Sequence, residues 1–262
     1  MLLTPCASLP PVIAIDLATR RYQDIGIAVL VQTEQAIDVR FVRPTAHGLT
    51  GVPDIAQLAD FVTTLAQAVG ASVIAIDGPQ AWKDPDNGLL HSRVSERLLH
   101  TQSKAGLPGF CKPGTGLRFV NFSIALFDQF ASLGWPRLAG PVTSPATTGL
   151  AVEIFPTATW RALGCKPLPS KQATQAGDID AWLQRLQTLR PLTLESAPSH
   201  DELQALVGGL AALALGQGET AGAQLVGRPP FQLDGIWREG YIMNLGEPVL
   251  SEREEHNAKN DG

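Results

Sequence analysis

Four acidic residues are the side chains of this chain best suited to chemistry: Asp16, Asp77, Glu153 and Asp201. Asp16 and Asp77 each end the same pentapeptide, Val-Ile-Ala-Ile-Asp, at Val12 to Asp16 and again at Val73 to Asp77. Glu153 lies within Gly149-Leu-Ala-Val-Glu-Ile-Phe-Pro156, and Asp201 within Ser199-His-Asp-Glu202. Carboxylates packed together repel, and burial raises their pKa values further unless a cation offsets the charge. A hard divalent ion does this through oxygen ligands while keeping waters and room for a phosphate. Mg²⁺ or Mn²⁺ is the cofactor such a cluster implies. Two such ions about 4 Å apart would activate water and stabilise the leaving oxygen of a phosphodiester. The chemistry expected is metal-dependent hydrolysis, with all four acids as catalytic and metal-ligating residues.

The elements that must position these acids follow from hydrophobic pattern. An apolar β-branched run with neither helical spacing nor polar alternation reads as a strand covered on both faces, and each Val-Ile-Ala-Ile-Asp runs straight into a loop. Open α/β sheets collect their chemistry at the carboxyl ends of such strands. Asp24 to Gln32 and Gln35 to Val42 read as two further strands whose short connection favours an antiparallel hairpin. From Asp54 to Val69, apolar residues at Ile55, Leu58, Phe61, Val62, Leu65 and Val69 keep helical spacing. A helix from Ser199 to about Gly216 carries Leu203, Leu206, Leu210 and Leu213 on one side and Ala205, Gly208 and Ala212 on another. The small residues permit close backbone approach, so this helix should lie on the sheet and bring Asp201 to the strand-end acids. Ser199 and Glu202 have the spacing of a capping box, which is the structural reading of Glu202.

The resulting order, strand, strand, strand, helix, strand, helix, strand, helix, is that of an α/β ribonuclease H-like fold: a mixed five-stranded sheet flanked by helices. Residues 1–250 form a single domain in this reading, with helical insertions at about 78–148 and 157–198 and a disordered tail over 251–262. The first insertion should hold helices around Leu89 to His100 and Phe122 to Leu133 and lie over the carboxyl edge; the second should hold a helix from Asp178 to Leu189.

Arg93 and Arg97, four apart on the first inserted helix, could share a face and grip phosphate, although Glu96 offers Arg93 another partner. Lys112 flanks a glycine-rich loop that could also approach a phosphate. His200 could move a proton or orient water beside Asp201, and Trp82, Trp160 and Trp237 could stack bases or pack the core. The chain contains neither a P-loop nor Gly-x-Gly-x-x-Gly, and no Gly-x-Ser-x-Gly elbow.

With 262 residues, 44% of them hydrophobic and 17% charged, the chain can bury a substantial core without staples. Its three cysteines, Cys6, Cys111 and Cys165, form neither a disulfide framework nor paired zinc-ligand spacing, which fits a reducing, cytoplasmic setting. No stretch approaches the roughly 18 uninterrupted apolar residues of a membrane helix. The formal charge of −5 argues against broad attraction to phosphate backbones.

Ile15-Asp16-Leu-Ala18, Ile76-Asp77-Gly-Pro79, Arg93 with Arg97, Val152-Glu-Ile-Phe-Pro156, His200-Asp-Glu-Leu-Gln-Ala-Leu206 and Glu239-Gly-Tyr-Ile242, taken in order, resemble family 429 of the domains of unknown function. That family is a group of predicted nucleases in the ribonuclease H-like superfamily. The resemblance implies that Asp16, Asp77, Glu153 and Asp201 are metal-site acids acting on nucleic acid or another phosphoester. The family commonly carries a second acid three residues after the first on the late helix, where this chain has Gln204. The alternatives are a noncatalytic nucleic-acid or protein-binding module on the same fold, and an ATP-handling relative of actin and sugar kinases. Against the latter, no Asp-x-Gly phosphate turn follows the first strand.

Overall fold

A computed structural model describes residues 10–141, 149–217 and 222–246. The expected tail at 251–262 lies outside them, as does Cys6. The chain builds a mixed α/β architecture around a central sheet. Its strands are β1 (Val12–Asp16), β2 (Gly26–Gln32), β3 (Ile37–Phe41), β4 (Val73–Asp77), β7 (Leu150–Ile154), β8 (Leu192–Leu194), β9 (Ala223–Val226) and β12 (Ile242–Leu245). Two small ribbons lie apart, β5 (Lys104–Ala105) with β6 (Cys111–Lys112) and β10 (Phe231–Leu233) with β11 (Ile236–Arg238).

The sheet order is β8-β3-β2-β1-β4-β7-β12-β9. β1, β2 and β3 form an antiparallel meander, whereas β4 pairs parallel with β1, and β7 with β4. Five strands were expected, and the described residues form a central sheet of eight. The additional ones, β8 on one edge and β12 with β9 on the other, have three or four residues each. Runs that short carry too little alternation to be separated from loop by pattern alone.

Side-chain alternation divides the core into two layers. Val12, Ala14, Ala28, Leu30, Val73 and Ala75 face α6 (His200–Gln217), together with residues of α4 (Pro156–Ala162) and α5 (Asp178–Leu189). Ile13, Ile15, Ile27, Ile74 and Ile76 face α1 (Ile55–Val69) and α3 (Leu117–Ser132) on the other side. Both faces of β1 and β4 are covered, which is why these strands read as unbroken apolar runs. Each fully buried Ile contributes roughly 1.5–3 kcal/mol of burial free energy.

The alanines on the α6 side leave room for the helix backbone, and Gly208 and Gly209 complete the fit. A Cβ at Gly208 would overlap Ile154, and one at Gly209 would meet Leu30 and Ala14. Asp54 caps α1 by accepting from Gln57 N at 3.0 Å, and Gly70 ends the helix in the left-handed region at φ 68°.

The insertion after β4 is less helical than its sequence suggests. The helix expected around Leu89 to His100 contracts to α2 (Val94–Leu98). Asn87 explains part of this: its side chain donates to Ser92 O and accepts from Leu89 N, holding the preceding residues in turns. Among the described residues no helix is long and apolar enough to cross a membrane.

Candidate metal and phosphoester site

Asp16 and Asp77 are register partners on adjacent parallel strands. Both lie on the α6 side of the sheet, in step with Val12, Ala14, Val73 and Ala75. Side by side at the strand ends, their carboxylates repel when both are ionised, which favours a proton or a cation between them. Burial, followed by the charge of Asp77 and then that of Asp201, raises the Asp16 carboxyl well above its usual range. Burial and then the charge of Glu153 raise Asp77 to about 7, against the hydrogen bond from Asp16. Both results describe a pair that cannot ionise twice without compensation.

Asp201 reaches this pair because the N-terminus of α6 settles onto β2 next to Asp16. Gly26, the register partner of Asp16, makes that approach possible: any Cβ there would overlap the Asp201 and Glu202 backbone. Ser199 and Glu202 form the expected capping box, with Ser199 N donating to Glu202 Oε2 at 2.7 Å and Glu202 N to Ser199 Oγ at 3.3 Å. Arg43 also donates to both Glu202 oxygens, at 2.9 and 3.3 Å. Glu202 thus anchors the helix start and leaves Asp201 to face the site.

His200 Nδ1 lies 3.1 Å from Asp201 Oδ1, and its Nε2 lies 2.8 Å from Pro169 O. Burial opposes charging of this imidazole, but the bonds to Asp201 and Pro169 outweigh it and raise the pKa. One ligand atom each from Asp16, His200 and Asp201 lie within 4.8 Å of one another. Lys171, from the second insertion, donates to Asp201 Oδ2 and, at 3.0 Å, to Asp24 Oδ1. An ammonium thus stands beside the acids.

Glu153 does not join this group as expected. Its register partner on β4 is Ile76, not Asp77, so it leaves the strand on the opposite face, although it still lines the cavity beside Asp77. There its two oxygens accept from Arg93 at 2.6 and 2.7 Å, and Oε2 also accepts from Gln80 N at 3.0 Å. The same guanidinium donates twice to Glu96 Oε1, at 3.0 and 3.1 Å. Arg93, Glu96 and Glu153 are all buried. Burial penalises the charge of Arg93, but the two glutamates outweigh this and hold its pKa above the ordinary value.

Arg93 is therefore committed to Glu96 and Glu153, and it lines the cavity beside Asp77 from within that buried network. It sits at the N-cap of α2 rather than within a helical face shared with Arg97, which is exposed on the helix surface. Lys112 is exposed on β6 and does not line the cavity next to Asp77. Glu239, left-handed at φ 57°, accepts from Asp84 N, Asn87 Nδ2 and Val94 N, and so ties the first insertion to the start of β12.

Trp82 and Trp160 are buried, and Trp237 packs under the Arg137 guanidinium at 4.8 Å, so these rings serve packing. A cavity of about 310 Å³ opens beside Asp77, bounded by Gln204 on α6 and by Thr101 to Ala105 and Phe119 of the first insertion. The insertion lies over the carboxyl edge, as expected from its length. No protein-family model, curated protein or solved structure matches this chain.

The sequence pattern did not single out Lys171 or Gly26, whereas His200 was placed beside Asp201 from the outset. Gly26 had a signal, since glycine within a strand often marks close backbone approach. Lys171 had none: it comes from a loop whose position depends on the tertiary fold.

Proposed function

We propose that the chain is a divalent-metal-dependent hydrolase of phosphodiester bonds, a nuclease or phosphodiesterase on a ribonuclease H-like fold. The observation that carries this reading is the in-register pair Asp16 and Asp77 with His200 and Asp201 brought alongside. The strand order β3-β2-β1-β4-β7, an antiparallel meander followed by two parallel strands, supports the fold assignment, as does the resemblance to family 429.

The donor set fits a hard cation. Asp16 and Asp201 would supply oxygen ligands beside His200, with Asp77 as a further acid next to Asp16, and positive charge would relieve the repulsion within the Asp16–Asp77 pair. Glu153, occupied by Arg93, falls outside the set. A bound Mg²⁺ or Mn²⁺ would supply Lewis acidity at a phosphoryl oxygen and lower the pKa of water. His200, held by Pro169 and Asp201, is placed to hold or pass a proton at the edge of the acids. Lys171 supplies a fixed positive charge next to Asp201 that suits a phosphoryl oxygen.

A noncatalytic binding module is the second reading, favoured by Gln204, which stands where the family commonly has another acid. The purified chain and its Asp16→Asn and Asp77→Asn variants separate the two. Mn²⁺ stabilisation and cleavage of nucleic acid, both lost in the variants, support the enzyme; nucleic-acid binding without cleavage supports the module.

A further inference from the structure

The cavity beside Asp77 contains a side chain whose orientation is settled by chemistry. Gln204 Oε1 accepts from Trp160 Nε1 at 3.0 Å. An indole nitrogen only donates, so the amide cannot be flipped: its carbonyl faces Trp160. Gln204 lines the cavity and is partly exposed, and its Nε2 has no protein partner among the described residues. The amide thus offers two fixed N–H donors to whatever occupies that space. Gln204 follows Asp201 by three residues on α6, which puts it on the same face of the helix as the acid.

The rest of the wall is mixed, with the buried Arg93, Glu96 and Glu153 on one side. Phe119 and Phe155 contribute half-buried rings, and Lys104 contributes an ammonium that has one bond, to Thr101 O at 2.9 Å. At about 310 Å³ the space lies at the small end of ligand pockets. It is too small for a duplex, whose major groove alone is about 12 Å wide. Aromatic rings, a fixed amide donor and a nearby cation are the means by which proteins hold a single unstacked nucleotide.

We propose that this cavity holds the base and sugar of one unpaired nucleotide whose phosphate lies at Asp16 and Asp77, with Gln204 Nε2 donating to an acceptor on the base. The inference rests on the phosphodiesterase reading and narrows its substrate to a mononucleotide ester or the end of a single strand.

The test uses the full chain with Mn²⁺ and compares binding of thymidine 5′-monophosphate, a 5′-phosphorylated single-stranded oligothymidine and ribose 5-phosphate by calorimetry. The nucleotide should bind at least tenfold more tightly than the sugar phosphate. Equal affinity for nucleotide and oligomer identifies a free nucleotide as the ligand, and tighter binding of the oligomer identifies a strand end; either supports the cavity. Gln204→Glu keeps an acceptor for Trp160 but replaces the donor, and it should reduce the preference for nucleotide over ribose 5-phosphate about tenfold. Ser103→Trp, at the exposed rim, should fill the space and abolish nucleotide binding while the fold, read by circular dichroism, is retained.

Comparable binding of nucleotide and sugar phosphate, or a preference unchanged in both variants, would overturn the inference. Cleavage of bis(p-nitrophenyl) phosphate is measured alongside. Diester cleavage without nucleotide preference leaves the hydrolase standing and removes the cavity assignment. Nucleotide binding that depends on Gln204, with no diester cleaved, retains the cavity and removes the hydrolase.

Discussion

Asp16→Asn should stabilise the metal-free protein at alkaline pH, a direct consequence of the carboxylate pair. Asp77 is held at about 7 against an ordinary 3.8, and Asp16 is raised with it. A group whose folded pKa is raised binds more protons folded than unfolded between those two values, so stability falls as pH rises through that interval. At about 1.36 kcal/mol per pKa unit, full ionisation of Asp77 is opposed by roughly 4 kcal/mol. Relaxation and water at the open side of the cleft reduce the measurable part to about 1–3 kcal/mol.

Asparagine at position 16 removes one charge and offers a permanent N–H donor to the ionised Asp77. In EDTA the variant should therefore exceed the wild type by about 1–3 kcal/mol at pH 8, with the difference shrinking towards pH 4. For a domain of this size that corresponds to a melting temperature higher by about 2–4 °C per kcal/mol. Thermal denaturation from pH 4 to 8.5, with and without Mn²⁺, reads both effects. Mn²⁺ should raise the wild type at pH 8 and leave the variant nearly unchanged. A wild type whose stability does not decline between pH 5 and 8 in EDTA, relative to the variant, would refute the reasoning.

Arg93→Met leaves Glu96 and Glu153 facing each other, buried and without their cation. Urea denaturation should show a loss of about 3–5 kcal/mol, partly recovered when Glu153→Gln is added. Gly26→Ala forces the Asp201 backbone away from β2; stability should fall by about 1–3 kcal/mol, and calorimetry should show weaker Mn²⁺ binding. Glu202→Ala removes both the helix cap and the partner of Arg43, costing about 0.5–2 kcal/mol at pH 7. Burial raises the pKa of Glu202, but Arg43 and Ser199 outweigh it and hold the pKa below its usual value. The wild-type advantage is therefore present above the unfolded pKa and lost as pH falls through the folded one, so the two denaturation curves should converge under acid conditions.

Local pattern was enough for the elements with long, uniform environments. β1 and β4 are legible because both of their faces are buried, α1 because one face is, and α6 because its capping box is local and its small residues are visible in the sequence as a stripe. α5 begins and ends where its periodicity predicts. The three short strands towards the sheet edges were not legible, since three or four residues carry no usable period. The shortening of α2 depends on Asn87 and Glu239, whose partners come from separate parts of the first insertion and from β11 to β12.

The candidate site divides along the same line. That Asp16 and Asp77 end buried strands is written in the residue order, because apolar runs stopping on a carboxylate can end only at a sheet edge. That they are neighbours, with Gly26 admitting Asp201 and Lys171 arriving from a loop, depends on strand order and on the seating of α6. The fate of Glu153 depends on a single step of register. Its partner is Ile76 rather than Asp77, and successive residues of a strand point to opposite faces. One-residue offsets between strands far apart in the chain leave no trace in composition or period, so only tertiary pairing could set Glu153 on Arg93.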